Sequence, residues 1–278
     1  MIISTPIQKI NKNIFVKRED LACLPPGPPF AKVRGLYPVL QKANKEEGIE
    51  IFGYMDTSVS DAGFGLSYFC QKMGLKAVIF YPEYKDGPRD NQLFQFKKWK
   101  EFGAEIIPLH KPNRLMINWY RARKILTGMY SNSRMLPQGL PFSETIDNVA
   151  NEIVNDRDSL CDIQTIVVSS GSGVMTAGII KGLHSIGLTP DIYGILISPK
   201  STSVMKRKIL RMSGLKEGGL FGSNIKLTIV DSNYGYTDKE TIRTPFPCNP
   251  YYDKKAWKWM MDNKNNIKLP ALFWNIGS

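Results

Sequence analysis

Histidine is nearly missing from this chain: two in 278 residues, His110 and His184, far apart and flanked by no cluster of ligand-type side chains. That scarcity argues against a zinc site and against a Ser-His-Asp relay. Cysteine is as thin, with four residues at 23, 70, 161 and 248 and no CxxC pair, so free buried thiols are expected rather than a disulfide framework. Long apolar runs are missing as well. The longest, Ala77-Val78-Ile79-Phe80-Tyr81 and Ile192 to Ile197, are the size of strands, and no membrane span is expected. The first twelve residues lack the basic, apolar and small-residue segments of a signal peptide, so a cytoplasmic location follows by default. Acidic residues are the other shortage: 25 against 37 Lys and Arg, a net charge of +12, which favours anionic partners without saying which.

What is present is a folded α/β chain. Hydrophobic residues make up 42% of it, too many for general disorder. Ile14–Lys17 reads as a strand, and Pro25-Pro26-Gly27-Pro28-Pro29 is barred from being helix because proline removes amide donors. A helix is expected from Val33 to Lys45. Strands at 51–55, 75–81 and 105–109 then alternate with helices at 65–72, 89–101 and 114–127, the pattern of βαβ units around a parallel sheet. After a loop-rich stretch at 129–142 a second set follows: helix 143–154, strand 163–168, helix 175–183, and strands 192–197 and 227–230. The expected architecture is two α/β domains: residues 1–50 with 131–278 form the larger, and 51–130 form a smaller one inserted in it.

Three segments could carry chemistry. Thr165-Ile166-Val167-Val168-Ser169-Ser170-Gly171-Ser172-Gly173-Val174-Met175-Thr176 is a strand, a glycine turn and a helix start. Glycines let backbone amides crowd an anion, and a helix N-terminus turns free N–H groups toward it. The spacing is neither a dinucleotide fingerprint nor a Walker loop, and the same residues also read as a packing turn with no ligand. A second polar turn, Asp56 to Gly65, contains Ser60 and Asp61 and reads equally as a helix-capping loop. Lys32, in Pro29-Phe30-Ala31-Lys32-Val33-Arg34-Gly35, is an ordinary first-turn lysine unless apolar surroundings lower its pKa and free the amine to attack an aldehyde.

In their order along the chain, Val16-Lys17-Arg18-Glu19-Asp20-Leu21, Phe30-Ala31-Lys32-Val33-Arg34, Gly171-Ser172-Gly173, Asp231 to Tyr236, Asn249 to Ala256 and Phe273 to Gly277 resemble the tryptophan-synthase-beta-like pyridoxal-phosphate enzymes of fold type II. The nearest branch is the one holding aminocyclopropane-carboxylate deaminase and D-cysteine desulfhydrase. The resemblance implies a two-domain fold with mainly parallel sheets and the cofactor, pyridoxal 5'-phosphate, between the domains. It implies that Lys32 holds the cofactor covalently and that Gly171, Ser172 and Gly173, with amides near Val174, Met175 and Thr176, hold its phosphate. Ser60, Asp61 and Tyr236 would face substrate and ring, no metal is implied, and a homodimer is. Three departures stand out: Asp61 where a neutral amide is expected, Met175 where a threonine is common, and Ile276 where a hydroxyl residue often meets the ring nitrogen.

These departures and the charge direct the functional expectation. Lys200, Lys206, Arg207, Lys208, Arg211 and Lys216 face Glu217 alone, and Lys111, Arg114, Arg121, Arg123 and Lys124 form a second basic group. Proteins similar to this family process amino-acid-like adducts on thymine in bacteriophage DNA. Decarboxylation of such an adduct is therefore expected, with DNA as partner, nucleic-acid contacts from Lys206, Arg207, Lys208 and Arg211, and the host cytoplasm as location if the chain is phage-encoded. A deaminase or desulfhydrase acting on a free amino acid, and a non-catalytic protein of the same fold, are the competing readings. Basic residues also form merely solvated surfaces.

Overall fold

The computed structural model describes residues 2–57, 59–84, 87–88, 90–110, 114–215 and 225–278, which leaves Ser58, Lys111, Lys216 and Glu217 outside the described residues. The chain opens with β1 (Ile7–Lys9), β2 (Ile14–Arg18), α1 (Val33–Glu47), β3 (Ile51–Met55) and α2 (Ala62–Met73). It continues through β4 (Lys76–Pro82), α3 (Asp90–Glu101), β5 (Glu105–Leu109), α4 (Leu115–Met129) and β6 (Ser133–Met135). Then come α5 (Ser143–Asn155), α6 (Arg157–Leu160), β7 (Thr165–Ser170), α7 (Val174–Ile186) and β8 (Asp191–Leu196). The last elements are α8 (Thr202–Ser213), β9 (Leu227–Asp231), α9 (Asp253–Asp262) and β10 (Ala271–Asn275).

Two compact units result: Met1–Pro25 with Pro29–Gly35 and Phe142–Ser278, and Pro26–Pro28 with Leu36–Pro141. Among the described residues the first holds a six-stranded sheet in the order β1-β2-β10-β7-β8-β9, parallel except for β1. The second holds a parallel four-stranded sheet, β5-β4-β3-β6. The second unit runs wider than 51–130 for two reasons. β6 lies in the stretch expected to be loop but pairs with β3, and Tyr37 of α1 packs on Phe69 of α2 with ring centroids 5.2 Å apart. The strands β7 and β10 are buried along their whole length, as central parallel strands covered on both faces must be. Among the described residues the four cysteines form no disulfide: Cys23, Cys70 and Cys248 are buried, and Cys161, just after α6, is exposed.

The first unit is fastened by ion pairs rather than by apolar packing alone. Four consecutive charged residues close β2, and each has a partner. Lys17, fully buried, reaches Glu152 at 2.7 Å and Asp156 at 2.5 Å, and Arg18 pairs with Asp20 at 2.7 Å. Glu19 accepts from Arg34 Nε at 2.6 Å and from Thr5 Oγ1, and Asp20 accepts from Asn275 Nδ2 at 2.8 Å. Arg34 also meets Glu152 at 3.2 Å. Pro38 has no amide to return to the Arg34 carbonyl, which Asn148 Nδ2 bonds instead at 3.2 Å.

Removing one partner of a buried pair leaves the other charged without compensation, at a cost of about 3–5 kcal/mol. Arg34→Met, which strands Glu19, is expected to lose stability on that scale in urea denaturation. A loss below about 1 kcal/mol would show that the network carries no weight.

Candidate active site

Lys32 sits on a tight turn that leads into α1, with Gly35 N donating to its carbonyl at 3.2 Å. The segment before it is laced to the C-terminal residues. Ala31 N donates to Ile276 O at 2.7 Å, Ser278 N donates to Pro29 O at 3.2 Å, and Phe30 and Gly277 form an antiparallel bridge. Gly277 N in turn donates to Asp253 Oδ2 at 3.0 Å, and Ser169 Oγ, from the end of β7, donates to Asp253 Oδ1 at 2.8 Å. Four chain segments thereby meet around one lysine.

The first unit also contains two fully buried lysines, and comparison separates their roles. Lys17 is locked in its ion pairs. Burial pushes Lys255 down to about 8, yet its amine donates to Ile197 O at 3.0 Å and Gly235 O at 2.9 Å, which makes it a strut. Among the described residues nothing hydrogen-bonds or ion-pairs to the Lys32 amine. Burial, with the charges of Lys200 and Lys208, lowers it to about 8, and only Asp253 pulls the other way. An unengaged amine that loses its proton near neutrality is a nucleophile. Burial pushes Asp253 up to about 7 despite its hydrogen bonds from Ser169 and the amides of Ile276 and Gly277. Sequence reasoning missed this carboxyl, because its partners come from segments far away in the chain.

Gly171, Ser172 and Gly173 form the turn between β7 and α7. Gly173 caps α7 at φ +84° with no side chain to offer, and a Cβ there would stand 2.7 Å from Ile209 Cγ1 and 3.1 Å from Met205 Sδ. Backbone conformation and the closeness of α8 both require glycine. The first helical bond runs from Ala177 N to Gly173 O, so the amides of Val174, Met175 and Thr176 have no acceptor within the helix. Met175 packs into the core, and Thr176 Oγ1 shares a 2.7 Å bond with Ser170 Oγ. The turn therefore offers backbone donors to an anion.

The other predicted residues are placed as follows. Tyr236 is half-buried, its hydroxyl 2.8 Å from that of Tyr252. On α8, Met205 and Ile209 are buried, Arg207 and Arg211 are exposed one turn apart, and Lys206 and Lys208 are half-buried. Ser60 and Asp61 belong to the second unit, at the start of α2. Ser60 Oγ accepts from Ala62 N at 3.1 Å, and Asp61 accepts from Gln95 Nε2 at 2.6 Å. Burial raises Asp61 to about 6 and the neighbouring Asp56, which accepts from Thr57 N and Gly63 N, to about 7. Asp56 was not singled out from the sequence. Among the described residues no group of histidine, cysteine or acidic side chains could hold a metal ion, and no helix is long and apolar enough to cross a membrane.

A family described as "Pyridoxal-phosphate dependent enzyme" matches residues 2–244. The chain belongs to it. Among curated relatives of this pyridoxal-phosphate enzyme, a "Glycyl-dTMP PLP-dependent decarboxylase" of Pseudomonas phage M6 is 34% identical over 100% of the chain and 99% of the relative. An "L-serine dehydratase" of Saccharomyces cerevisiae (strain RM11-1a) is 25% identical over 74% of the chain and 61% of its own length. Of solved structures, an ACC deaminase homologue superposes with a TM-score of 0.78 at 20% identity, covering 99% of this chain and 89% of the other. A pyridoxal 5'-phosphate-dependent aspartate racemase gives 0.66 at 14%, covering 99% and 90%. These two structural matches support the same fold, mixed α/β with mainly parallel sheets.

The residues present fit the cofactor. Lys32 supplies an amine with no competing bond, and the 171–176 turn supplies unsatisfied amides for a phosphate. Because only the neutral amine attacks a carbonyl, capture of pyridoxal by Lys32, trapped with borohydride, is expected to increase as pH rises through about 8. A midpoint near the ordinary lysine value of 10.5 would contradict the depressed amine.

Proposed function

We propose that this enzyme removes, as carbon dioxide, the carboxylate of an α-amino acid group carried by a modified thymine base in DNA. The observation that carries the reading is the whole-length likeness to the phage glycyl-dTMP decarboxylase, 34% identical with no substantial part of either chain left over. The charge of +12 supports it, as do the exposed Arg207 and Arg211 on α8 and the exposed Arg123 and Lys124 on α4. Cations on a surface that meets duplex or single strand bind by releasing condensed counterions. The host cytoplasm is the compartment of such a reaction, and a homodimer is part of the same reading.

Bound pyridoxal phosphate supplies an electron sink for negative charge at the α-carbon. The chain's own residues then have definite tasks. Lys32 holds the cofactor and, as the ammonium, is the proton donor to the α-carbon once the carbon–carboxylate bond has broken and left its electron pair there. Asp253, hydrogen-bonded by Ser169 and Gly277, is the one carboxyl that favours that ammonium. The 171–176 amides orient the phosphate. The depressed amine lets Lys32 alternate between neutral and charged forms near neutral pH, as a proton donor and acceptor must.

The test is mass spectrometry of nucleosides from amino-acid-modified DNA incubated with the protein and pyridoxal phosphate. The modified nucleoside is expected to lose the mass of one carbon dioxide, and its binding to the enzyme to weaken steeply with salt. The likeness to L-serine dehydratase favours a second reading, a deaminating lyase on a free amino acid. An unchanged nucleoside, with a 2-oxo acid and ammonia formed from a free amino acid, would replace the first reading by the second.

A further inference from the structure

The basic residues that follow β8 form one group along the sequence, but the fold divides them. Lys200 donates from its amine to Gly171 O, the first residue of the turn below α7. Lys208 lies on α8 in the stretch whose Met205, Ile209 and Met212 crowd Gly173, all within 3.3 Å of a Cβ built there. Packing of α8 on Gly173 thus brings Lys208 to the same turn. Lys200 is held below the ordinary lysine value by burial and by Lys208, and both charges act on Lys32.

Three ammonium groups gathered at one turn repel one another, and among the described residues neither Lys200 nor Lys208 pairs with a carboxylate. A bound anion would offset that arrangement. The turn itself lacks side chains for the purpose, since Met175 is packed in the core and the Thr176 hydroxyl is bonded to Ser170. Its backbone amides hold an anion by hydrogen bonds but carry no net charge. A phosphate monoester, with a charge of about −1.5 to −2 at neutral pH, needs more than amides.

We propose that Lys200 and Lys208 form the cationic half of a phosphate site over the Gly171–Gly173 turn, occupied by the cofactor's phosphate. The backbone half is the amide row of Val174, Met175 and Thr176. The two lysines do for this chain what an uncharged hydroxyl residue at position 175 does not. This assignment removes Lys208 from the DNA-facing group and leaves Lys206, Arg207 and Arg211 there. It stands whichever amino acid substrate is turned over, because the phosphate belongs to the cofactor.

The experiment titrates cofactor-free protein with pyridoxal phosphate, followed by absorbance, with inorganic phosphate as competitor. Charge-assisted hydrogen bonds are strong, so Lys200→Gln/Lys208→Gln is expected to weaken pyridoxal phosphate binding by about ten- to a hundredfold. Inorganic phosphate should compete well against the native protein and poorly against the double variant. Lys208→Gln alone should show part of the loss and Lys208→Arg should restore binding, which guards against a misfolded double variant. Unchanged affinity for pyridoxal phosphate in a folded double variant would overturn the proposal. So would normal cofactor affinity combined with loss of oligonucleotide binding by the loaded variant, which would assign the lysines to phosphodiesters of the substrate.

Discussion

The buried contact between Glu19 and Arg34 is the constraint on which the rest of the site depends. Arg34 stands two residues after Lys32, and Glu19 begins where β2 ends. Their 2.6 Å bond ties the start of α1 to the sheet, while Glu152 ties both to α5 through Arg34 and Lys17. A long side chain such as lysine is precise only if its backbone is fixed. Here the backbone is fixed on one side by charge and on the other by the bridge from Phe30 to Gly277. A buried ion pair is poor value for stability when compared with well-packed apolar residues. Its use here is geometric: it sets the position of Lys32, two residues before Arg34.

Electrostatics at the site then follows from what is placed near that residue. Burial first, and then the charges of Lys200 and Lys208, lower the Lys32 amine to about 8, against the pull of Asp253. Lys200 bonds the Gly171 carbonyl, and α8, which carries Lys208, packs against Gly173. On the proposed assignment one arrangement meets two demands of the family, a nucleophilic amine and a seat for phosphate.

Much of the fold is legible in the sequence. Ile51–Met55 and Glu105–Leu109 are strands where the apolar runs say so, and α5 and α7 follow their helical spacing within a few residues. What escapes has a physical cause in each instance. Met205 and Ile209 mark α8 at helical spacing, but they are submerged in Lys and Arg, so the segment reads as charge rather than structure. β1 and β6 are three residues long, too short for any periodicity. α9 and β10 lie in the C-terminal stretches that carry the family resemblance, where Trp, Lys and Asn mask the apolar periodicity. The Lys17-Arg18-Glu19-Asp20 run is visible as a family mark, yet its role is not, because Lys17 meets Glu152 across 135 positions. Asp253 hides for the same reason: what makes it unusual is burial beneath Ser169 and Gly277, which no local pattern announces.

Lys32, without a hydrogen-bond or ion-pair partner among the described residues, is the lysine proposed to carry the cofactor. The most direct test is borohydride reduction of the protein mixed with pyridoxal phosphate, followed by digestion and peptide mass spectrometry. The account predicts a single modified peptide with the label on Lys32, and no label on Lys17 or Lys255, whose amines are already engaged. A label on Lys255, or one spread over surface lysines with Lys32 untouched, would contradict it.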